Sequence, residues 1–119
     1  MPRQRVDMTP GEVAAFLAGK RVAIVGTLGR DGAPDGDPAA FSWVDGEARV
    51  KVERDGAAHR NLLGDPRVVC SVEEFPSYAG IKGVALHGVA RLEEDEPAGA
   101  TFRIAAPRIE SFDFAKIRR

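Results

Sequence analysis

Short apolar or alternating runs, separated by turn residues, follow one another from Arg21 onward and constrain the fold most. Antiparallel strands joined by hairpins produce this pattern, because strand side chains alternate between two faces and hairpins need tight turns. The runs predict strands at Val22 to Leu28, Ala39 to Val44, Ala48 to Val52, Val68 to Val72, Gly83 to Leu92 and Thr101 to Ile104, with another from Ile109 to Phe114. The chain is therefore predicted to be mostly β.

Two turns support this interpretation. Gly29 to Gly32 separates the first two strands, and Asp45-Gly46 is a two-residue hairpin signal. Glycine accepts the positive φ that a primed hairpin turn needs. Six or seven closely spaced strands, interrupted only twice by helix, favour a small β-barrel over an open parallel sheet.

Two segments depart from the strand pattern and predict short helices. Thr9-Pro10-Gly11-Glu12 combines a cap residue, a proline at the first helical position and a glutamate three residues after the cap, which together mark a helix start. The first helix is predicted over residues 10–18. The second is predicted over residues 57–63 and ends before Pro66, because proline blocks its continuation. The acidic run Glu93 to Glu96 predicts a solvated loop.

The charge balance argues against nucleic-acid and membrane partners. The 119 residues carry 17 basic and 18 acidic side chains, a net charge of -1, which creates no field to hold a phosphate backbone or an anionic membrane. The single cysteine, Cys70, lies in an apolar run, so it is predicted to be core and cannot form an internal disulfide. No stretch of ~18 apolar residues occurs. We expect one soluble, cytoplasmic domain over residues 1–119.

Cations and amide donors concentrate where the third strand leads into the second helix: Lys51, Arg54, His59, Arg60 and Asn61. Free N–H groups at a helix start, together with arginine and lysine side chains, can bind a phosphate. The alternative is a solvated helix with an ion pair between Arg60 and Asp65.

The two histidines indicate no metal site. His59 and His87 are far apart in the sequence, and neither has a second ligand at metal-site spacing. His87 alternates onto the strand face opposite Leu86, which is typical of a surface or hydrogen-bonded strand histidine. No nucleophile elbow occurs either, so no catalytic residue is predicted.

The order of these pieces carries a resemblance that covers nearly the whole chain. The capped helix is followed by Gly32-Ala33-Pro34, by Phe41-Ser42-Trp43-Val44-Asp45-Gly46 and later by Gly88-Val89-Ala90-Arg91-Leu92. The most specific part is Arg60-Asn61-Leu62-Leu63-Gly64-Asp65-Pro66-Arg67-Val68. In this order the sequence resembles the pyridoxamine 5′-phosphate oxidase-like superfamily, which includes FMN- and F420-binding split β-barrel proteins.

This resemblance implies a six-stranded antiparallel split β-barrel and a homodimer with a cofactor groove between the subunits. The cofactor is usually FMN, and in many relatives the deazaflavin F420. The implied activity is that of an oxidoreductase, which transfers a hydride or electrons to a small molecule. Because the cofactor ring carries the redox chemistry, the protein needs no catalytic acid–base pair.

The resemblance also implies which residues meet the cofactor. Backbone amides near Ala39, Phe41 and Val52 would meet its ring or ribityl chain. Its phosphate end would lie near the cationic side chains Arg54, His59, Arg60 and Lys82.

The positions that usually hold the family's phosphate-binding Thr, Ser and Lys are here Val52, Gly56 and Ala58. Each lost hydroxyl or ammonium removes a charge-assisted bond of about 1.5–3 kcal/mol. Asp35 also stands where relatives often have a histidine, after Pro34. Two alternatives therefore stay open: a cofactor-free dimer that serves as a binding or scaffolding module, and a haem-binding protein with His59 or His87 as axial ligand.

Overall fold

This computed structural model describes residues 5–117, apart from the side chains of Tyr78 and Ala106. They form two short α-helices, six strands and two single-turn 3-10 helices, Tyr78–Gly80 and Phe114–Lys116. The helices and strands, in chain order, are α1 (Pro10–Ala18), β1 (Val22–Leu28), β2 (Pro34–Val44), β3 (Glu47–Val52), α2 (Ala57–Gly64), β4 (Arg67–Glu74), β5 (Lys82–Glu96) and β6 (Gly99–Asp113). Every strand pair is antiparallel, and the strands close into a barrel in the order β1-β2-β3-β6-β5-β4. The predicted six-stranded barrel is confirmed.

Side chains that alternate inward along the strands form a single core. Val25, Val50, Leu86 and Phe102 are among the largest fully buried side chains. Cys70 also points inward, as predicted, and burial raises the pKa of its thiol to about 12. The thiol is therefore protonated and inert, because the thiolate is the reactive form.

Helix α1 has the predicted bounds and the predicted capping box. The Thr9 side chain accepts a bond from the Glu12 amide at 3.2 Å, and Glu12 accepts one from the Thr9 amide at 2.9 Å. Val13 and Leu17 bury one face of the helix. Neither this helix nor any other within residues 5–117 is both long and apolar enough to cross a bilayer.

The hairpin between β2 and β3 turns where it was predicted. Asp45 has a φ of 54° and Gly46 a φ of 77°, so both central residues are left-handed, as a type I′ turn requires.

Three strand predictions need correction. Strand β2 begins at Pro34 rather than Ala39, because its first residues pair with β1 as far as Leu28. The acidic run is not a loop, since β5 continues through Glu96 and pairs with β6 up to Gly99. Glu93 is held there by Arg49 at 2.6 Å and by Arg103 at 3.4 Å.

The two strands predicted at the C-terminal end are one continuous strand, β6. It stays paired with β5 across a bulge between His87 and Val89. Gly88 permits the close approach at this bulge, because a Cβ on it would lie 2.6 Å from the carbonyl oxygen of Ala105. A bulge of this kind re-aims the side chains on either side of it.

Candidate functional site

Helix α2 is anchored across the β1–β2 hairpin. Ala58, His59 and Leu62 form its buried face. Asn61 donates from Nδ2 to the Thr27 hydroxyl at 3.0 Å and to the Asp35 carboxylate at 2.8 Å. These bonds fix the helix relative to the turn that joins β1 and β2.

A cavity of about 650 Å³ lies between this turn and α2, and we call it the arginine pocket. Three arginines and one aspartate give its walls an excess of positive charge. Its lining residues are Leu28, Gly29, Arg30, Gly32, Arg60, Asn61, Gly64, Asp65 and Arg67. Guanidinium groups bind phosphates and carboxylates well, because their N–H groups match the geometry of both anions.

Asp65 pairs with Arg67 inside the arginine pocket. The Arg67 Nη2 lies 2.6 Å from Asp65 Oδ2, and its Nε lies 3.0 Å from Oδ1. These bonds lower the pKa of Asp65, so the carboxylate is charged near neutral pH. Asp65 thus pairs with Arg67 and not with Arg60, the alternative that the sequence left open, because the turn into β4 brings Arg67 alongside. Arg60 instead donates to the carbonyl oxygen of Asp55.

A second cavity of about 480 Å³ lies next to the arginine pocket, and we call it the apolar groove. The two cavities share Leu28 and Arg67. The residues that line the groove are Gly26, Thr27, Leu28, Pro34, Arg67, Val68, Val69, His87, Gly88 and Val89. An apolar surface thus adjoins a cationic one.

The family's usual phosphate-binding position lies at the start of α2 and presents little that could hold an anion. Val52 and Ala58 are buried, and Gly56 caps the helix without a side-chain hydrogen bond. A carboxylate oxygen of Glu53 would lie 3.6 Å from a Cβ placed on Gly56. Negative charge at this distance disfavours a phosphate.

Arg54 and His59, which were predicted to serve the phosphate end, both face Asp95. The Arg54 Nε and the His59 Nε2 lie 3.5 and 3.7 Å from the same Asp95 oxygen. The His59 side chain is only 4% exposed, and its Nδ1 accepts a hydrogen bond from the Asp55 amide at 2.9 Å. Within residues 5–117, no hydrogen-bond partner meets its Nε2.

The remaining predicted contacts are spread over the barrel. Ala39, Phe41 and Val52 point into the core, and the Phe41 amide already donates to the Arg21 carbonyl at 2.8 Å. Lys82 lies at the opposite end of β5 from Asp95, with its Nζ 3.7 Å from Glu74.

Of the predicted cationic residues, only Arg60 therefore lines the arginine pocket. Sequence reasoning did not select Arg30 or Arg67 for it. Arg67 belongs to the string that carries the family resemblance, but Arg30 lies in an ordinary hairpin turn. The packing of that turn against α2 brings Arg30 into the pocket, and no local signal predicts it.

A profile of the pyridoxamine 5′-phosphate oxidase family matches residues 9–118. The chain belongs to this family. The match covers both helices and all six strands. A search of curated proteins finds no match.

Solved structures share the fold of this family member. The conserved hypothetical protein Rv2991 from Mycobacterium tuberculosis superposes with a TM-score of 0.82 and 24% identity, over 99% of this chain and 95% of that chain. A FAD-binding protein from Mesorhizobium loti gives a TM-score of 0.76 and 17% identity, over 90% of this chain and 96% of that chain.

Relatives with the same fold bind chemically different cofactors. A heme-binding protein from Mycobacterium smegmatis gives a TM-score of 0.69 and 18% identity, over 94% of this chain and 61% of that chain. An F420 reductase gives a TM-score of 0.67 and 14% identity, over 81% of this chain and 94% of that chain. The split-barrel fold is therefore common to proteins that bind FAD, F420 or heme.

Proposed function

We propose that this member of the pyridoxamine 5′-phosphate oxidase family binds a flavin-type cofactor, FMN first and F420 second. With it, the protein acts in the cytoplasm as an oxidoreductase on a small molecule. One observation carries the proposal: the arginine pocket and the apolar groove adjoin each other and share Leu28 and Arg67 in their walls. This arrangement suits a ligand with a flat apolar ring at one end and a phosphate at the other.

The residues of the two cavities would bind different parts of the cofactor. Arg30, Arg60 and Arg67 would hold the phosphate, and Asp65 keeps the Arg67 guanidinium in place. The groove residues Gly26 and Val69 would lie under the ring and exclude water from it. The cofactor, when bound, supplies the hydride or electron transfer, so the chain itself needs only to bind and orient it.

We further propose that the protein is a homodimer and that the second copy covers the apolar groove. Val22 and Ile24 lie side by side on the outer face of β1, with 63% and 49% of their surface exposed. Their cross-strand neighbours on β2 are Ala40 and Pro38. The groove continues this apolar face, because Gly26 is the next outward-facing residue of β1. An apolar sheet face of this kind favours association.

Titration of the purified protein with FMN, F420 and haem tests the cofactor. We expect FMN to bind with a Kd in the micromolar range or below, with a change in its visible absorption and quenching of its fluorescence. F420 should bind more weakly. If neither flavin-type cofactor binds at micromolar concentration, the oxidoreductase proposal is wrong.

The same titration decides between the two alternatives. A cofactor-free binding module is favoured by Val52, Gly56 and Ala58 at the family's usual phosphate position, and it would bind none of the three ligands. Haem binding through His59 is opposed by geometry, since both ring nitrogens of this buried side chain face protein groups. A haem spectrum that persists in a His59→Ala variant but disappears in His87→Ala would make His87 the axial ligand.

Light scattering tests the dimer. We expect the wild-type protein to have twice the mass of one chain, and Ile24→Glu to shift it toward the monomer, because the variant would bury a charge in the interface. Val44→Glu is the matched control, since Val44 is also an exposed strand valine but lies at the far end of β2. A monomeric wild-type protein would contradict the proposal.

A further inference from the structure

His87 and Glu110 are in contact beside the apolar groove, and neither residue has a part in the proposed cofactor contacts. The His87 Nε2 lies 2.9 Å from Glu110 Oε1. His87 lines the groove and is half-buried, with 30% of its side chain exposed. A hydrogen bond from Arg108 and the nearby His87 lower the pKa of Glu110, so it is a carboxylate near neutral pH.

The charged groups that surround His87 come from two neighbouring strands. From β6, Arg108 lies directly opposite His87 in the register and reaches the same Glu110 oxygen at 2.7 Å. From β4, Arg67 lines the groove and is paired with Asp65. The β1 residues of the groove, Gly26, Thr27 and Leu28, carry no ionisable side chain.

Among the residues that line the groove, His87 is thus the side chain suited to exchanging a proton. The guanidinium of Arg67 keeps its protons at any physiological pH, whereas histidine changes charge in the physiological range. The contact with Glu110 occupies Nε2, so a proton exchanged with a ligand would have to leave or enter at Nδ1.

We propose that His87 is the proton donor of the apolar groove and that Glu110 is the residue that positions it. This inference rests on the proposed function, because the groove must hold the ring of a flavin-type cofactor. A histidine held by a carboxylate is a common arrangement for general acid–base catalysis, since the carboxylate orients the ring and stabilises its charged form.

The step transfers one proton. Full two-electron reduction of a flavin-type ring takes up two electrons and two protons, and a hydride donor such as a reduced nicotinamide brings both electrons and one of the protons. His87 gives the second proton from Nδ1, so its N–H bond breaks as a bond from that proton to the bound ring forms. The imidazole is left neutral and recovers its proton from water. In the reverse direction His87 accepts the proton.

The test measures the midpoint potential of bound FMN against pH in the wild type, His87→Gln, Glu110→Gln and the control Arg91→Gln. Arg91 is exposed on the same strand and does not line the groove. We expect the wild-type and His87→Gln plots to differ in slope, because the charge of the reduced ring favours proton uptake by a neighbouring imidazole, whereas glutamine takes up no proton. Glu110→Gln should also change the slope, because it removes the carboxylate that holds the His87 ring. Arg91→Gln should leave the wild-type slope unchanged.

A second readout is the rate at which a reduced nicotinamide reduces bound FMN, expected to fall about 100-fold in His87→Gln. Equal slopes and equal rates in the wild type and His87→Gln would overturn the role of His87, while FMN binding would stand. A wild-type protein that binds no FMN would instead overturn the proposed function, and this role with it. If His87→Gln itself fails to bind FMN, a Glu110→Gln plot equal to that of the wild type would still overturn the role of Glu110 as the residue that positions His87.

Discussion

Phe102→Ala is expected to lower the free energy of unfolding by about 3–5 kcal/mol. Phe102 is 1% exposed and points inward from β6, where it pairs with Val50 across the sheet. Its ring also meets the ring of His59 edge-on, with 6.2 Å between the centroids. The substitution therefore leaves a cavity in the core and removes part of the surface on which α2 packs.

Urea unfolding followed by the fluorescence of Trp43, the only tryptophan, measures this loss. Phe75→Ala is the matched control, because 67% of the Phe75 surface is exposed and its removal should change stability by less than about 0.5 kcal/mol. A loss below about 1 kcal/mol in Phe102→Ala would mean that the barrel closes around the cavity, contrary to this account.

The double substitution Arg60→Gln and Arg67→Gln is expected to weaken FMN binding on the order of 100-fold or more. Each arginine–phosphate bond contributes about 1.5–3 kcal/mol, and about 1.4 kcal/mol corresponds to a factor of ten. Removal of Arg67 also leaves the Asp65 carboxylate in the pocket without its partner. The remaining charge then repels the phosphate.

Two controls test whether the loss of FMN affinity arises from the phosphate in the arginine pocket. Riboflavin, which lacks the phosphate, should bind the double variant and the wild type with Kd values within about twofold of one another, because the groove is intact. Arg54→Gln should leave FMN binding nearly unchanged, since Arg54 faces Asp95 outside the arginine pocket. If Arg54→Gln weakens binding more than the double variant does, the phosphate lies at the start of α2 instead, as the family resemblance implies.

Local sequence patterns were sufficient for the helices and for most strands. The bounds of α1 follow from Thr9 and Glu12, whose mutual hydrogen bonds need only neighbouring residues. The turn at Asp45-Gly46 likewise depends on its own backbone angles. Strand ends were harder to predict, because pairing with a partner strand can extend a strand through residues with little strand propensity. Glu93 to Glu96 became strand in this way.

The sequence by itself determined that this is a small, mostly β member of the pyridoxamine 5′-phosphate oxidase family. Alternation, turn residues and the string from Arg60 to Val68 are all local signals. Only the tertiary structure decided which cationic side chains lie together in one pocket. Closure of the barrel and the packing of α2 bring Arg30 beside Arg60 and Arg67, but leave Arg54 with Asp95. Sequence spacing could not separate these groups, because contacts across a closed sheet depend on strand register and helix placement.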